Sequence, residues 1–109
     1  MLKTKGKETD LRDKIEKLIF ETLHELNLER EVSNKISITK ATAMLGNNTS
    51  LDSLEFLNLV MSLEDKLREQ LSMKVSLSHE DVLLSKHHPF KSVEALTNFI
   101  HLVSQGKLA

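Results

Sequence analysis

Residues 51–71 read LDSLEFLNLVMSLEDKLREQL, and this stretch decides the fold. Its apolar residues recur every three or four positions, which is the period of an α-helix that buries one side. Asp52 is a suitable N-cap residue, and Glu55 falls in the first turn, where the helix dipole favours a negative charge. We therefore predict a helix from about Ser53 to Leu71.

The apolar side of this predicted helix is wider than a single packing contact requires. Two stripes run along it, the first of Phe56, Val60, Leu63, Leu67 and Leu71, the second of Leu54, Leu57 and Met61. Two interpretations remain open. Either the helix is central and packs on two neighbours, or the second stripe is partly exposed and contacts partner proteins.

Amphipathic helices are also predicted before and after this one. The first is capped by Thr9 or Asp10, carries apolar residues at helical spacing, and ends near residues 27–28. The last is capped by Ser92 and ended by Gly106, because glycine readily takes the left-handed conformation that closes a helix. Each needs a neighbour on which to bury its apolar side.

The sections between these helices carry weaker patterns. Residues 29–50 have no sustained apolar period and end in a turn-forming cluster, which predicts a long loop. Residues 78–84 are expected to form a short helix, and Pro89 to turn His88 away from helical geometry. The prediction is an all-α fold: a four-helix bundle with three long helices, one short third helix, and a long loop between helices one and two.

Composition limits the possible functions. The chain has 109 residues and no cysteine, which indicates one domain without disulfides, thiolate metal sites or a cysteine nucleophile. A net charge of −1 makes neither nucleic acid nor an anionic membrane an expected partner. No apolar run approaches the roughly 20 residues of a membrane span, and the N-terminus lacks the apolar region of a secretory signal. We therefore expect a cytoplasmic protein with no membrane insertion.

Motifs for catalysis and metal binding are missing from the sequence. The histidines do not pair on one helical turn, so no metal site is predicted. The glycines are isolated, so there is no phosphate-binding loop, and Ser53 lacks the glycine pattern of a hydrolase nucleophile. Ser53 nevertheless lies at the start of a predicted helix, where the dipole would stabilise a phosphate ester on its hydroxyl. The expected role is that of a prosthetic-group carrier, not an enzyme.

Asp52-Ser53-Leu54 and the run Leu59-Val60-Met61-Ser62-Leu63-Glu64 lie at a spacing that resembles the acyl carrier protein family. In that family, an Asp-Ser-Leu motif opens the second helix and a Leu-Val-Met-small-Leu-Glu run follows. The resemblance extends to the long loop and the closing helix. It implies an acyl carrier domain at residues 9–105, a disordered basic tail at residues 1–8, and a C-terminal tail at residues 106–109.

The resemblance implies a covalent cofactor, 4′-phosphopantetheine, on Ser53. A phosphopantetheinyl transferase would donate it from coenzyme A, with Asp52 and Leu54 flanking the attachment serine. The terminal thiol of the arm would hold the cargo as a thioester, which fits a chain without cysteine. The resemblance also places the family's acyl cavity near Leu63 and Leu67.

The same resemblance implies transient docking on partner enzymes. These are acyl or aminoacyl ligases, synthases or transferases, and the chain itself would be a monomer. The implied partner-binding residues are the apolar Leu54, Leu57 and Met61 and the acidic Glu55 and Glu64. A few apolar contacts ringed by charges suit docking that must be short-lived.

The sequence also departs from the carriers of fatty acid synthesis. Asn58 replaces a common acid, Lys66 and Arg68 add positive charge to the same helix, and the chain is less acidic overall. These differences indicate a specialised free-standing carrier, serving a lipid, surface polysaccharide or secondary metabolite pathway. Two alternatives remain: an aminoacyl, D-alanyl or peptidyl carrier, and an unmodified helical module that binds proteins through the second apolar stripe.

Overall fold

Three α-helices form the framework of the protein in the computed structural model, which describes residues 7–46, 49–77, 82 and 88–106. The helices are α1 at Lys7–Leu28, α2 at Ser53–Leu71 and α3 at Val93–Ser104. No strand occurs within the described ranges. The all-α prediction is therefore confirmed.

Short helical turns and one uncertain stretch complete the chain between these helices. Turns of 3₁₀ helix lie at Val32–Asn34 and Pro89–Lys91. His88 has φ 44° and ψ 60°, so it departs from right-handed helical geometry, as predicted for the residue before a proline. The predicted short helix at residues 78–84 lies outside the described residues apart from Val82. The described part of the chain thus bears out three helices and does not confirm a four-helix bundle.

Helix α1 packs against both α2 and α3, and it is the element that those two share. Its inner side holds Ile15, Leu18, Ile19 and Leu23, none of which is more than 4% exposed. Thr22 is buried on the same side, and its Oγ1 donates to the carbonyl of Leu18 at 2.7 Å. That bond satisfies a hydroxyl that would otherwise be costly to bury.

The start of α1 differs from the prediction. The helix begins at Lys7 and not after a cap at Thr9 or Asp10, so it includes two residues that were assigned to the tail. The residues concerned contain no glycine or proline, so nothing in them stops the helix from starting earlier. The predictions for residues 1–6 and 107–109 lie outside the described residues.

Helix α2 has both predicted ends, Ser53 and Leu71. It supplies a large part of the core through five buried residues: Phe56, Leu59, Val60, Leu63 and Leu67. Leu59 belongs to this buried side although neither predicted stripe contains it. Ser72 closes the helix in the left-handed conformation (φ 55°), and its N–H donates to the carbonyl of Leu67.

Helix α3 begins and ends as predicted. Ser92 caps it, because its Oγ accepts from the N–H of Ala95 at 3.0 Å. Gly106 follows its end with a φ of 72°, the left-handed region that glycine takes without strain. The buried residues of the helix are Val93, Leu96, Thr97 and Ile100.

Phe90 joins the long loop after α1 to the rest of the fold. Its carbonyl accepts from the N–H groups of Met44 at 3.0 Å and Leu45 at 3.3 Å. Its buried ring meets Phe56 of α2 edge-on, with the ring centroids 4.9 Å apart. Met44 is itself fully buried, so the loop is anchored without regular structure.

Leu63 and Leu57 offer a matched test of this packing, since both are leucines of α2 but only Leu63 is buried. We expect Leu63→Ala to lower the free energy of unfolding by about 2–5 kcal/mol, because it removes contacts and leaves a cavity. Leu57→Ala is expected to cost about 1 kcal/mol or less. Urea unfolding measures both values, and equal losses would contradict the assignment of the two faces.

Candidate functional site

Ser53 is the first helical residue of α2, and it is exposed. Asp52 precedes it as the N-cap, and its Oδ1 accepts from the N–H of Glu55 at 2.8 Å. In return, Oε1 of Glu55 accepts from the N–H of Asp52 at 3.1 Å, which completes a capping box. The backbone on both sides of the Ser53 hydroxyl is therefore held in place.

Arg30 reaches this capping box from the loop after α1. Its Nη1 donates to both carboxylate oxygens of Glu55 at 2.9 Å, and its Nε donates to the carbonyl of Asn34 at 2.7 Å. Both charged side chains are mostly buried, with 16% of Arg30 and 25% of Glu55 exposed. Water therefore screens this ion pair less than it screens a pair on the open surface.

The loop around Arg30 is anchored to the end of α1. Asn27 forms two hydrogen bonds with the backbone of Ile36: Nδ2 donates to the carbonyl at 2.9 Å, and Oδ1 accepts from the N–H at 2.7 Å. Lys35 Nζ donates to the carbonyls of Asn27 and Arg30. The carbonyl of Asn27 is one of those that the end of a helix leaves without an intrahelical partner. These bonds hold the segment from which Arg30 extends.

A row of apolar side chains on α2 faces solvent next to Ser53. Leu54, Leu57 and Met61 are 67%, 48% and 60% exposed, which confirms the predicted partial exposure of the second stripe. Their spacing of three and then four residues puts them on one side of the helix. We call these three residues the apolar face of α2. Contiguous exposed apolar residues of this kind mark contact surfaces more often than single ones do.

The two acidic residues implied in partner binding are engaged within the chain. Glu55 is bound to Arg30, as described above. Glu64 is half-buried, and its Oε2 accepts from the N–H of Leu77 at 2.6 Å, which ties the segment after α2 back to the helix. Of the five implied contact residues, only the three of the apolar face are exposed.

Leu63 and Leu67, implied at an acyl cavity, lie in the packed core with 1% and 0% of their surface exposed. An open groove of about 380 Å³ lies elsewhere, between α1 and α2, with Leu26, Leu59 and Met61 as its apolar lining. Acidic side chains from both sides of the groove also line it. Neither of the two core leucines contributes to this groove.

The described residues offer neither a metal-binding cluster nor a membrane-spanning helix. They contain no group of three or more His, Asp or Glu side chains that could hold a metal ion. His24, His88 and His101 are the histidines in these ranges, and they lie on different parts of the fold. Within the same part of the chain, no helix has the length and apolar character needed to cross a membrane.

Comparison with known proteins adds no family assignment. No protein-family model matches the sequence, and no curated protein or solved structure is significantly similar to it.

Arg30 and Asn27 were not among the predicted site residues. Their partners Glu55 and Ile36 lie 25 and 9 residues further along the chain, and no apolar period links such positions. Only a weak indication of the roles of Arg30 and Asn27 is present in the sequence. An arginine and an asparagine near a predicted helix end are residue types that commonly satisfy free carbonyls there.

Asp52 provides a direct test of the capping box. Asp52→Ala removes the acceptor for the N–H of Glu55, so we expect the free energy of unfolding to fall by about 0.5–2 kcal/mol. Asp52→Asn keeps an acceptor oxygen and is expected to lose less. Urea unfolding followed by far-UV circular dichroism gives both values. A loss as large in Asp52→Asn as in Asp52→Ala would argue against the capping bond.

Proposed function

We propose that this protein is an acyl carrier: Ser53 bears a 4′-phosphopantetheine arm, and the chain presents a thioester-bound acyl group to partner enzymes. The observation that supports the proposal most directly is an exposed serine at the start of a capped and well-packed helix. The resemblance of the surrounding motif to acyl carrier proteins supplies the identity of the arm. The chain itself is proposed to be non-catalytic.

The surroundings of Ser53 fit a phosphodiester. Because the serine is the first residue of α2, the free N–H groups of the first turn and the positive end of the dipole lie near its hydroxyl. Asp52 occupies one of these N–H groups, that of Glu55, and Ser53 remains exposed. A modifying enzyme can therefore reach the hydroxyl without opening the fold.

Attachment of the arm forms one bond and breaks another. Oγ of Ser53 attacks the coenzyme A phosphorus atom that carries the pantetheine, and the bond from that atom to 3′,5′-ADP breaks. The departing ADP phosphate takes the electron pair, and the serine proton passes to a base of the transferase. When bound, the arm supplies the thiol that this chain lacks and holds acyl groups as thioesters.

The apolar face of α2 supports the docking part of the proposal. Leu54, Leu57 and Met61 lie within about two helical turns of Ser53, so a partner that binds them also meets the modified serine. Three exposed apolar side chains form a small surface, and small surfaces suit encounters that must be brief. The partners are then the transferase and the acyl or aminoacyl ligases, synthases or transferases that load and unload the arm.

A specialised pathway, and not housekeeping fatty acid synthesis, is part of the proposal. Lys66 is one of the positive charges that set this chain apart from acidic carriers. Its Nζ lies 2.9 Å from both carboxylate oxygens of Glu25, so this charge joins α2 to α1. Lipid, surface polysaccharide or secondary metabolite synthesis are the pathway classes in view, with an aminoacyl cargo as the alternative.

Mass spectrometry tests the modification directly. The intact protein, incubated with coenzyme A and a promiscuous phosphopantetheinyl transferase, is expected to gain the mass of one phosphopantetheinyl group. Ser53→Ala is expected to gain none, because the attacking oxygen is gone. Ser50→Ala, at another exposed serine three residues earlier, is expected to be modified like the wild type.

Two results of that experiment would overturn the proposal. One is no mass gain in the wild type, and the other is an unchanged gain in Ser53→Ala. A complementation assay, in which Ser53→Ala replaces the wild-type protein, then separates the alternative of an unmodified interaction module. That alternative expects Ser53→Ala to support partner function fully, whereas a carrier without its arm cannot.

The apolar face is tested through the kinetics of the transferase. We expect Leu54→Ala and Met61→Ala each to lower kcat/KM for modification about 5- to 10-fold, because each removes an apolar contact from the docking surface. Leu28→Ala is the matched control, since Leu28 is 81% exposed but belongs to the end of α1. An equal loss in Leu28→Ala would show that the effect is not specific to this face.

A further inference from the structure

We infer that Arg30 is a positioning residue for the modification of Ser53. It acts by fixing Glu55 and, through Glu55, the first turn of α2 that presents the serine hydroxyl. This inference rests on the proposed carrier function. It concerns a residue that is distant in sequence from the Asp52-Ser53-Leu54 motif and does not belong to the apolar face of α2.

The contacts of Arg30 fix its guanidinium in two directions. Nε is held by the carbonyl of Asn34 at 2.7 Å, and Nη1 lies 2.9 Å from both oxygens of Glu55. Lys35 in turn donates to the backbone carbonyl of Arg30 at 3.0 Å. Arginine suits this task because its planar group keeps several donors in a fixed arrangement, which a lysine ammonium does not.

Glu55 connects the guanidinium of Arg30 to the backbone beside Ser53. The same Oε1 that binds Arg30 also accepts from the N–H of Asp52 at 3.1 Å. In the other direction, Oδ1 of Asp52 accepts from the N–H of Glu55 at 2.8 Å. Ser53 lies between these two residues. The carboxylate that Arg30 orients therefore makes one of the two hydrogen bonds that fix the backbone around the reactive hydroxyl. A displacement of a reacting group by about 1 Å can lower the reaction rate about 100-fold.

Charge gives Arg30 a second effect on the same serine. Asp52 and Glu55 place two carboxylates around Ser53, and the phosphodiester adds a further negative charge at that point. Arg30 pairs with one of the two carboxylates and so reduces the repulsion that the incoming phosphate meets. Both effects favour reaction at Ser53, and neither requires Arg30 to touch coenzyme A.

The chain contains a matched ion pair that lacks this connection. Lys66 Nζ lies 2.9 Å from both oxygens of Glu25, and the Lys66 side chain is 17% exposed, close to the 16% of Arg30. The match holds for the cation and the distance, whereas Glu25 is 55% exposed against 25% for Glu55. Like the Arg30–Glu55 pair, it holds α2 to the first part of the chain. It lies thirteen residues after Ser53 and contacts neither member of the capping box. Lys66→Gln therefore removes a similar ion pair without disturbing the serine.

The experiment compares Arg30→Gln, Arg30→Lys and Lys66→Gln with the wild type in the coenzyme A-dependent transferase assay. Initial rates over a range of carrier concentrations separate kcat from KM, at a temperature well below the thermal midpoint of every variant. We expect Arg30→Gln to lower kcat about 10-fold or more with little change in KM, because the hydroxyl is bound but poorly placed. Arg30→Lys keeps the charge and is expected to recover part of the loss.

Lys66→Gln is expected to keep kcat within about twofold of the wild type, since its loss affects stability and not the serine. The inference is overturned if Arg30→Gln has the wild-type kcat, or if Lys66→Gln loses as much as Arg30→Gln. If Arg30→Gln does not fold, Arg30→Lys provides the test. A wild-type kcat in folded Arg30→Lys would then overturn the inference that the planar guanidinium of Arg30 positions Ser53. A wild type that gains no mass would instead refute the proposed function, and this inference with it.

Discussion

The carbonyl of Phe90 anchors the long loop that leads from α1 towards Ser53 and α2. The described part of this loop, residues 29–46 and 49–52, has no strand or long helix to satisfy its backbone, and a buried N–H without a partner costs about 1–3 kcal/mol. Phe90 accepts from the N–H groups of both Met44 and Leu45. Its ring meanwhile packs on Phe56, one turn after Ser53 in α2. One residue thus fixes the loop and the helix that follows it relative to each other.

The packing of α1 explains why α2 keeps one side exposed. Helix α1 lies against both α2 and α3, so it is the shared element of the core, and α2 buries the side that meets it. Sequence left open whether α2 was central or partly exposed. The exposure of Leu54, Leu57 and Met61 confirms the structural half of the second interpretation, while contact of these residues with partner proteins stays a prediction. The wide apolar side seen in the sequence therefore reflects two separate surfaces, one for the core and one for solvent.

Sequence could predict those parts of the fold that depend on local patterns. The ends of α2, its Asp52 cap and the Ser92 cap follow from residue types at fixed offsets, and the structure has all three. The start of α1 was predicted three or four residues too late, because a helix can extend beyond a good cap residue where no glycine or proline stops it. The Arg30–Glu55 pair could not be predicted from the sequence, because it depends on the path by which the loop returns to α2. Loop conformation has no period from which such a pairing follows.

The acidic residues of the candidate site show the same limit of prediction from local sequence patterns. In sequence, Glu55 and Glu64 look like free charges on a helix that partners would read by charge. In the fold, Glu55 binds Arg30 and the Asp52 backbone, and Glu64 binds the N–H of Leu77. A carboxylate already paired gives a partner less attraction, because a new cation must compete with the existing donors. Under the proposed carrier function, recognition near Ser53 would therefore depend more on the apolar face than on charge. Such a division fits the proposed carrier, in which the start of α2 would stay rigid while different partner enzymes bind.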